Sequence, residues 1–412
     1  METIVTCKLK LVTSKEQKKV LMDSLVTYRD ATNYVWEENF RPKLSATQKI
    51  HDSHYYNIRE RFSIPSQFAC DIIRETHSVF ATLWEHQKKE KGKPEGRRRD
   101  HFKECPVRKS LTMQMTLNRT VSVFPDSKTV HLTMKDGRLK SIPFQGWDQH
   151  IGYLRSGRIG DPKLTFDRRS KSFYLLVPVT MTTLDVPHRD VVGIDIGERH
   201  FLAVVSTAGT EEIVDLPDSF RENKAKIYRL HEALLSKGTR SANRHLTKLG
   251  KRERLFTSDR MHCVAKSISE EFPEALIVVE DLTDINESRK TFRGGKTKEE
   301  RKEKRRQANQ WSFAEFRKKL TYKHGLHNGI AVESVDPAYT SQTCPQCGHV
   351  CAENRIGDEF LCLNCGHHDH ADLNAAKNIL ARSLVLGSTV NRPIVPAALR
   401  RLSKSTTSVV GG

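Results

Sequence analysis

The chain has 412 residues, too many for one ordinary core, so two or three modules are expected. Hydrophobic residues make up 37% and charged residues 29%, and the net charge is +19; such an excess repels itself unless a polyanion neutralises it, which makes nucleic acid the expected partner. No stretch has the length of a transmembrane helix and METIVTCKLK lacks the apolar core of a signal peptide, so a cytoplasmic location is expected. Nine cysteines in a chain this long exclude a disulfide scaffold.

TIVTCKLKLV alternates polar and apolar positions, the pattern of a β-strand. From about Ser14 to His86 the period becomes helical: Val20, Leu21, Leu25 and Tyr28 recur at helical spacing, as do Ile72, Ile73, Val79, Phe80 and Leu83. The run KKEKGKPEGRRRDHFK at 88–103 breaks this pattern and reads as an exposed loop. LTMQMTL, TVSVF and TVHLTM are short β-rich segments, and KDGR at 135–138 supplies a hairpin turn. KLTFDRRSKSFYLLVPV then reads as two strands joined at a basic turn. Strands on both sides of the helical block predict one β-module interrupted by one helical module.

VVGIDIGERHFLAVVSTAGTEEIVDL begins a new unit, with two apolar runs around an acid and a third run after a G-T turn, like the opening meander of an RNase H-like sheet. A charged helical stretch follows from about Phe220 to Phe272, broken near Gly238, and ALIVVE reads as a buried strand. Residues 286–325 are very basic, through Arg289, Lys290, Arg293, Lys296, Lys298, Arg301, Lys302, Lys304, Arg305 and Arg306. Gly294 and Gly295 argue for a loop leading into the helix QWSFAEFRKKLTYKHG, and GIAVESVD is one more strand. ADLNAAKNILARSL is a helix with Ala375, Ala376, Ile379 and Leu380 on one side, and the tail from Gly387 receives no structure.

Three acids suit metal-assisted phosphodiester hydrolysis, which needs a nucleophilic water and a stabilised leaving oxygen; two divalent ions roughly 3.5–4 Å apart supply both. Asp195 stands where the alternation of its strand predicts a core side chain, with Gly193 and Gly197 beside it leaving room for a nucleic-acid backbone. Glu280 ends a wholly apolar strand, and Asp372 opens the alanine-rich helix, where a capping role is the competing reading. Asp281 and Asp284 are second choices to Glu280, and Asp369 to Asp372. Hard oxygen ligands of this kind suit Mg2+.

Just ahead of Asp372, Cys344, Cys347, Cys362 and Cys365 form C-x2-C-x14-C-x2-C, four thiolates on two knuckles, which is what a closed structural zinc requires. Gly348 and Gly366 permit the tight turns after each pair. With four thiolates the shell is full, so no chemistry is expected at this zinc. Cys7, Cys70, Cys105, Cys263 and Cys351 are scattered and expected to be reduced, mostly buried thiols.

GIDIG, VVEDL, QWSFAEFRKKLTYK, TSQTCPQCG and CLNCG followed by HDHADLNAAKNI together resemble the TnpB (OrfB) family of insertion sequences, related to compact type V CRISPR effectors. The likeness is close over the C-terminal half and one of layout over the N-terminal half. It implies a multidomain α+β protein: a β-barrel wedge domain at 1–13 and 109–186, a helical recognition domain at 14–108, a split RNase H-like (RuvC) nuclease domain at 187–340 and 369–386, a zinc ribbon at 341–368, and a tail at 387–412. It further implies an RNA-guided DNA endonuclease, monomeric with its transposon-end-derived guide RNA, that cuts double-stranded DNA beside a short flanking motif. In that reading Asp195, Glu280 and Asp372 are the catalytic acids holding Mg2+, and the four cysteines hold zinc. A CRISPR effector of the same chemistry and a DNA-binding regulator without cleavage are the alternatives, with a strand-transferring transposase a third that the cysteine module before Asp372 weighs against. Arg97, Arg98, Arg99 and the 289–306 run are candidate phosphate contacts, and Tyr34, Trp36, Tyr55 and Tyr56 either stack bases or pack a core.

Overall fold

The computed structural model describes residues 2–41, 46–92, 95–183, 186–197, 200–281 and 313–386. Asp284, the basic run at 289–306, the side chain of Arg97 and the tail from 387 lie outside them. The chain is a multidomain α+β protein that divides into two compact units, Glu2–Thr182 and a second from Thr183 onward. Among the described residues no helix is long and apolar enough to cross a membrane.

The first unit opens with β1 (Glu2–Leu11), followed by α1 (Lys15–Asn39), α2 (Thr47–Phe62) and α3 (Ser66–Glu90). Then come β2 (Thr112–Gln114), β3 (Val121–Phe124), β4 (Thr129–Met134), β5 (Gly137–Gln145), α4 (Asp148–Ser156), β6 (Arg158–Ile159), β7 (Lys163–Asp167) and β8 (Ser172–Thr182). The strands order as β2-β7-β8-β1-β5-β4-β3, with β6 on β8. The strand that precedes the helices is thus central, paired with β8 from Glu2↔Thr182 to Lys10↔Tyr174 and with β5 at Lys10↔Gln145. Ser14 starts α1 with a capping box: its hydroxyl accepts the Gln17 N–H and the Gln17 side chain accepts the Ser14 N–H, a cap worth about 1 kcal/mol. Cys7, Leu9 and Leu11 of β1, Leu21, Leu25 and Tyr28 of α1, and Phe68 and Ile72 of α3 share one core, so helices and sheet fold as one hydrophobic body. Trp36 is buried, while Tyr56 is 76% exposed.

The second unit contains β9 (Asp190–Ile196), β10 (Leu202–Ser206), β11 (Glu211–Val214), α5 (Asp218–Lys237), α6 (Arg240–Glu271) and β12 (Ala275–Glu280). After them come α7 (Phe313–Asn328), β13 (Val332–Val335), β14 (Arg355–Ile356), β15 (Glu359–Leu361), β16 (His368–His370) and α8 (Ala371–Leu386). A five-stranded sheet runs β11-β10-β9-β12-β13, in which β9, β10 and β11 form an antiparallel meander and β12 and β13 lie parallel to β9. Helices cover both faces, which is why DVVGIDI and ALIVVE are continuous apolar runs instead of alternating ones. Val192, Ile194, Ile196, Ile277 and Val279 pack against Phe220, Met261, Ile268, Phe316 and Leu320 from α5, α6 and α7. The intervening residues Val191, Ala203, Val278 and Val335 face Ala376, Ile379 and Leu380 of α8. Gly238 ends α5 in the left-handed region at φ 58°, the break expected between two charged helices.

Candidate active site

Because side chains alternate along a strand, Asp195 shares the α8 face of the sheet with Val191 and Gly193, and Glu280 shares it with Val278. Asp372 is the second residue of α8 itself, on the helix that covers that face. Topology therefore brings the three acids to one place from three elements. All are buried, with relative exposures of 9%, 8% and 4% in chain order. Burial, then the negative charges of Glu280 and Asp372, push the Asp195 carboxyl up to about 8, against the pull of Arg355. Burial also raises Glu280, opposed by the Thr340 hydroxyl and the Arg382 charge. Buried carboxylates this near one another repel when ionised, and bound cations relieve that repulsion.

Gly193 makes this arrangement possible. A Cβ there would lie 2.5 Å from the Ala376 carbonyl oxygen and 2.8 Å from the Leu380 nitrogen. The space expected to admit a nucleic-acid backbone is filled by the backbone of α8. Gly197 likewise sits tight on its own chain, since a Cβ would come within 2.6 Å of the His200 carbonyl oxygen. Both glycines serve packing inside the protein.

The polar side of α8 grips the segment that leads into the cysteine module. Asn374, Asn378 and Arg382 stand at four-residue intervals and so form one stripe. Asn374 Nδ2 donates to the Thr343 carbonyl at 3.1 Å, and Asn378 Nδ2 donates to the Thr340 and Thr343 carbonyls at 2.8 and 2.7 Å. Arg382 donates to the carbonyls of Asp336 and Ala338. Thr340, held this way, donates its hydroxyl to Glu280 Oε1 at 2.5 Å. Asp372 does not cap its helix: its Oδ1 accepts Arg355 from β14 at 2.7 Å, and its backbone N–H goes to His370 Nδ1 at 3.2 Å. The second-choice acids have other partners, Asp281 with Arg317 at 2.6 Å and Asp369 with Lys377 at 2.8 Å.

The four cysteines of the pattern converge, their sulfurs all within 4.8 Å of one another. Cys344 and Cys365 Sγ are 3.6 Å apart, and Cys347 and Cys362 Sγ 3.5 Å. A tetrahedral zinc with bonds of about 2.3 Å requires sulfurs about 3.8 Å apart, and a disulfide about 2.05 Å, so the set fits zinc. The two knuckles are built alike. Cys344 N–H donates to the His349 carbonyl and Gly348 N–H to the Cys344 carbonyl; Cys362, His367 and Gly366 repeat this. Gly348 and Gly366 sit at φ 76° and 72°, where other residues are strained. Buried Asn354 ties the module together, donating to the Gln342 carbonyl and accepting the Leu363 N–H. Of the five other cysteines only Cys7 is buried; Cys263 is exposed and the remaining three are half-buried, contrary to the expectation of mostly buried thiols. They lie where helices and loops meet solvent, and their scattered positions carry no periodicity from which to tell it.

Arg355, Thr340, His200 and His370 border the acids, and no sequence pattern marks them. His200, His370 and Asp372 bring ligand atoms within 4.8 Å of one another. Only the i, i+4, i+8 spacing of Asn374, Asn378 and Arg382 could have signalled that α8 carries a second, polar interface.

Residues 313–379 match the family model of the Cas12f1-like TNB domain. Over 206 residues the chain is 32% identical to InsQ of Escherichia coli (strain K12), named as a candidate RNA-guided DNA endonuclease, covering 47% of this chain and 49% of InsQ. Over 149 residues it is 32% identical to the TnpB-like protein MJ0751 of Methanocaldococcus jannaschii, covering 35% of this chain and 49% of that protein. Over 70 residues it is 44% identical to the CRISPR-associated endodeoxyribonuclease Cas12f1 of Sulfoacidibacillus thermotolerans, covering 17% and 16%. The aligned part thus spans about half or less of the curated relatives it matches. In fold the chain is similar to Cas12f1 from a complex with sgRNA and target DNA, with a TM-score of 0.58 over 92% of this chain and 98% of that one, at 13% identity. The resemblance to TnpB proteins carried by the motifs is shared by these relatives.

Proposed function

We propose that this chain is a TnpB-type RNA-guided DNA endonuclease that cuts target DNA beside a short flanking motif at a single RuvC-type site. The observation that carries this reading is the convergence of Asp195, Glu280 and Asp372 on one buried sheet face, with a four-cysteine module placed just before the third acid. The meander of β9 to β11 with two further strands parallel to β9 fits an RNase H-like sheet, and supports assigning 187–340 and 369–386 to the nuclease domain and 341–368 to the zinc ribbon. The sheet built from β1 and residues beyond 109 fits the wedge domain, and the helices between fit the recognition domain. The names of InsQ and Cas12f1, together with the +19 charge, support a guide RNA and double-stranded DNA as partners.

Asp195, Glu280 and Asp372 would hold two Mg2+ ions, which when bound supply an activated water and a stabilised leaving oxygen. Adjacent strands β9 and β12 fix two of the carboxylates rigidly, and Thr340 orients Glu280 through its hydroxyl. Arg355 holds one oxygen of Asp372, and the rest of its guanidinium fork is suited to a phosphate. Sequence would be read by base pairing, the protein holding the heteroduplex by its backbone. Protein purified with its RNA, carrying Asp195→Ala, Glu280→Ala or Asp372→Ala, is expected to bind matched target and lose Mg2+-dependent cleavage. Near-wild-type cleavage by any of the three overturns the assignment of that acid.

A further inference from the structure

We propose that His200, His370 and Asp372 form a site for a first-row transition ion at the edge of the carboxylate cluster, distinct in its chemistry from an all-carboxylate Mg2+ site. The inference rests on the reading of Asp372 as a metal ligand and adds two imidazoles to it. Hard carboxylate oxygens favour Mg2+, whereas imidazole nitrogen favours ions such as Co2+ and Zn2+.

Each of the three residues offers one ligand atom, and these atoms all lie within 4.8 Å of one another. The partner of the His200 ring suits it to act as a ligand. Its Nδ1 lies 3.0 Å from Asp215 Oδ2, and a carboxylate accepts only, so Nδ1 carries a proton and Nε2 is the nitrogen whose lone pair the neutral ring offers to an ion. A carboxylate behind a histidine in this way fixes the tautomer of metal-bound imidazoles generally. Arg221 holds the other oxygen of Asp215 at 3.2 Å, so the orienting group is itself held.

Asp372 divides its two oxygens. Oδ1 accepts Arg355, while Oδ2 lies toward Gly197, where an added Cβ would be 3.7 Å from it and 2.6 Å from the His200 carbonyl oxygen. The missing side chain at 197 thus lets the His200 backbone pack closely beside Asp372. The His370 ring stands 5.3 Å from that of His200, at 70° to it. Its Nδ1 accepts the Asp372 N–H at 3.2 Å, a long bond, so an ion and the first turn of α8 compete for this ring. The alternative is that His200 merely pairs with Asp215 and His370 merely caps α8.

Titration of the zinc-loaded, full-length protein with Co2+, followed by its visible absorption and by calorimetry, separates the two. Thiolate–cobalt absorption in the near-ultraviolet reports any exchange at the cysteine module independently. In excess Mg2+, one Co2+ beyond the cysteine module is expected to bind wild type, with affinity about 10–100-fold lower in His200→Ala and in Asp215→Asn, where only the orienting carboxylate is lost. His370→Gln, which keeps an acceptor for the helix N–H, is expected to weaken Co2+ similarly while melting like wild type. Equal Co2+ affinity in wild type, His200→Ala and Asp215→Asn overturns the proposal. If wild type fails to cleave DNA with Mg2+ but binds Co2+ through His200, the endonuclease reading falls and this site stands. If wild type cleaves and its Co2+ affinity does not depend on His200, the site falls and the endonuclease reading stands.

Discussion

Asp195→Asn is expected to stabilise the second unit at alkaline pH while removing cleavage. The folded protein holds the Asp195 carboxyl at about 8 against an ordinary value of 3.8. A raised acid costs nothing below pH 3.8, costs progressively more as pH climbs, and reaches its full cost above about 8. Each pKa unit corresponds to about 1.4 kcal/mol, so the shift sets an upper bound of roughly 6 kcal/mol on the cost of ionising the group in place. Relaxation and entering water screen much of that, and about 1–3 kcal/mol is the expected recovery in a variant of the same shape that cannot ionise. For a unit of this size, that is a rise of roughly 3–10 °C in Tm. Thermal melts of zinc-loaded wild type and variant, without other divalent ions, should diverge between pH 5 and pH 9. Adding Mg2+ at pH 8.5 should raise the Tm of wild type more than that of the variant. The pH-dependent part of the difference is the readout, because burying an amide adds an offset that pH does not alter. A constant offset from pH 5 to pH 9, or equal Mg2+ stabilisation of both proteins, refutes the reasoning.

Thr340→Val removes the hydroxyl that lowers the Glu280 pKa, so the rising limb of the pH–cleavage profile is expected to move to higher pH, with roughly tenfold slower cleavage below it; an unmoved profile counts against the contact. Gly193→Ala places a Cβ against the α8 backbone and is expected to cost about 1–3 kcal/mol and most cleavage together, which a wild-type melt would contradict. Cys344→Ser or Cys365→Ser is expected to lower zinc content, stability and cleavage in step, since metal binding and local folding are coupled; active protein without zinc by elemental analysis would end that idea.

The acids on strands are legible because each interrupts or ends an apolar run, which makes VVGIDI and ALIVVE the places to look for a site. The cysteine spacing is equally plain, being a property of two knuckles and not of the fold around them. Thr340 and Arg355 are not, since Thr340 lies in irregular chain and Arg355 in a two-residue strand, and each meets its acid through a contact that no local pattern shows. Gly193 signals a close approach, but the visitor is a helix and not a nucleic-acid backbone, and one sequence position cannot tell the two apart. In the first unit β5 and α4 leave little trace in the pattern. GRLKSIPFQ buries only Ile142 and Phe144 of its nine residues, and its register with β4 slips between Val130 and Leu132, so there is no clean alternation to find.

Helix α8 has a consequence for the order in which the second unit is completed. It supplies Asp372, closes the hydrophobic layer over Val191, Ala203, Val278 and Val335, and stitches down the segment that carries Thr340. Two of the acids are synthesised long before it. A chain still emerging from the ribosome, or one whose α8 has come loose, holds Asp195 and Glu280 on an uncovered sheet without the third acid. Burial of the layer and assembly of the triad are therefore one cooperative event. If the three acids hold metal as proposed, a chain whose α8 is not docked lacks one of the ligands, and the helix that completes the fold also completes the set.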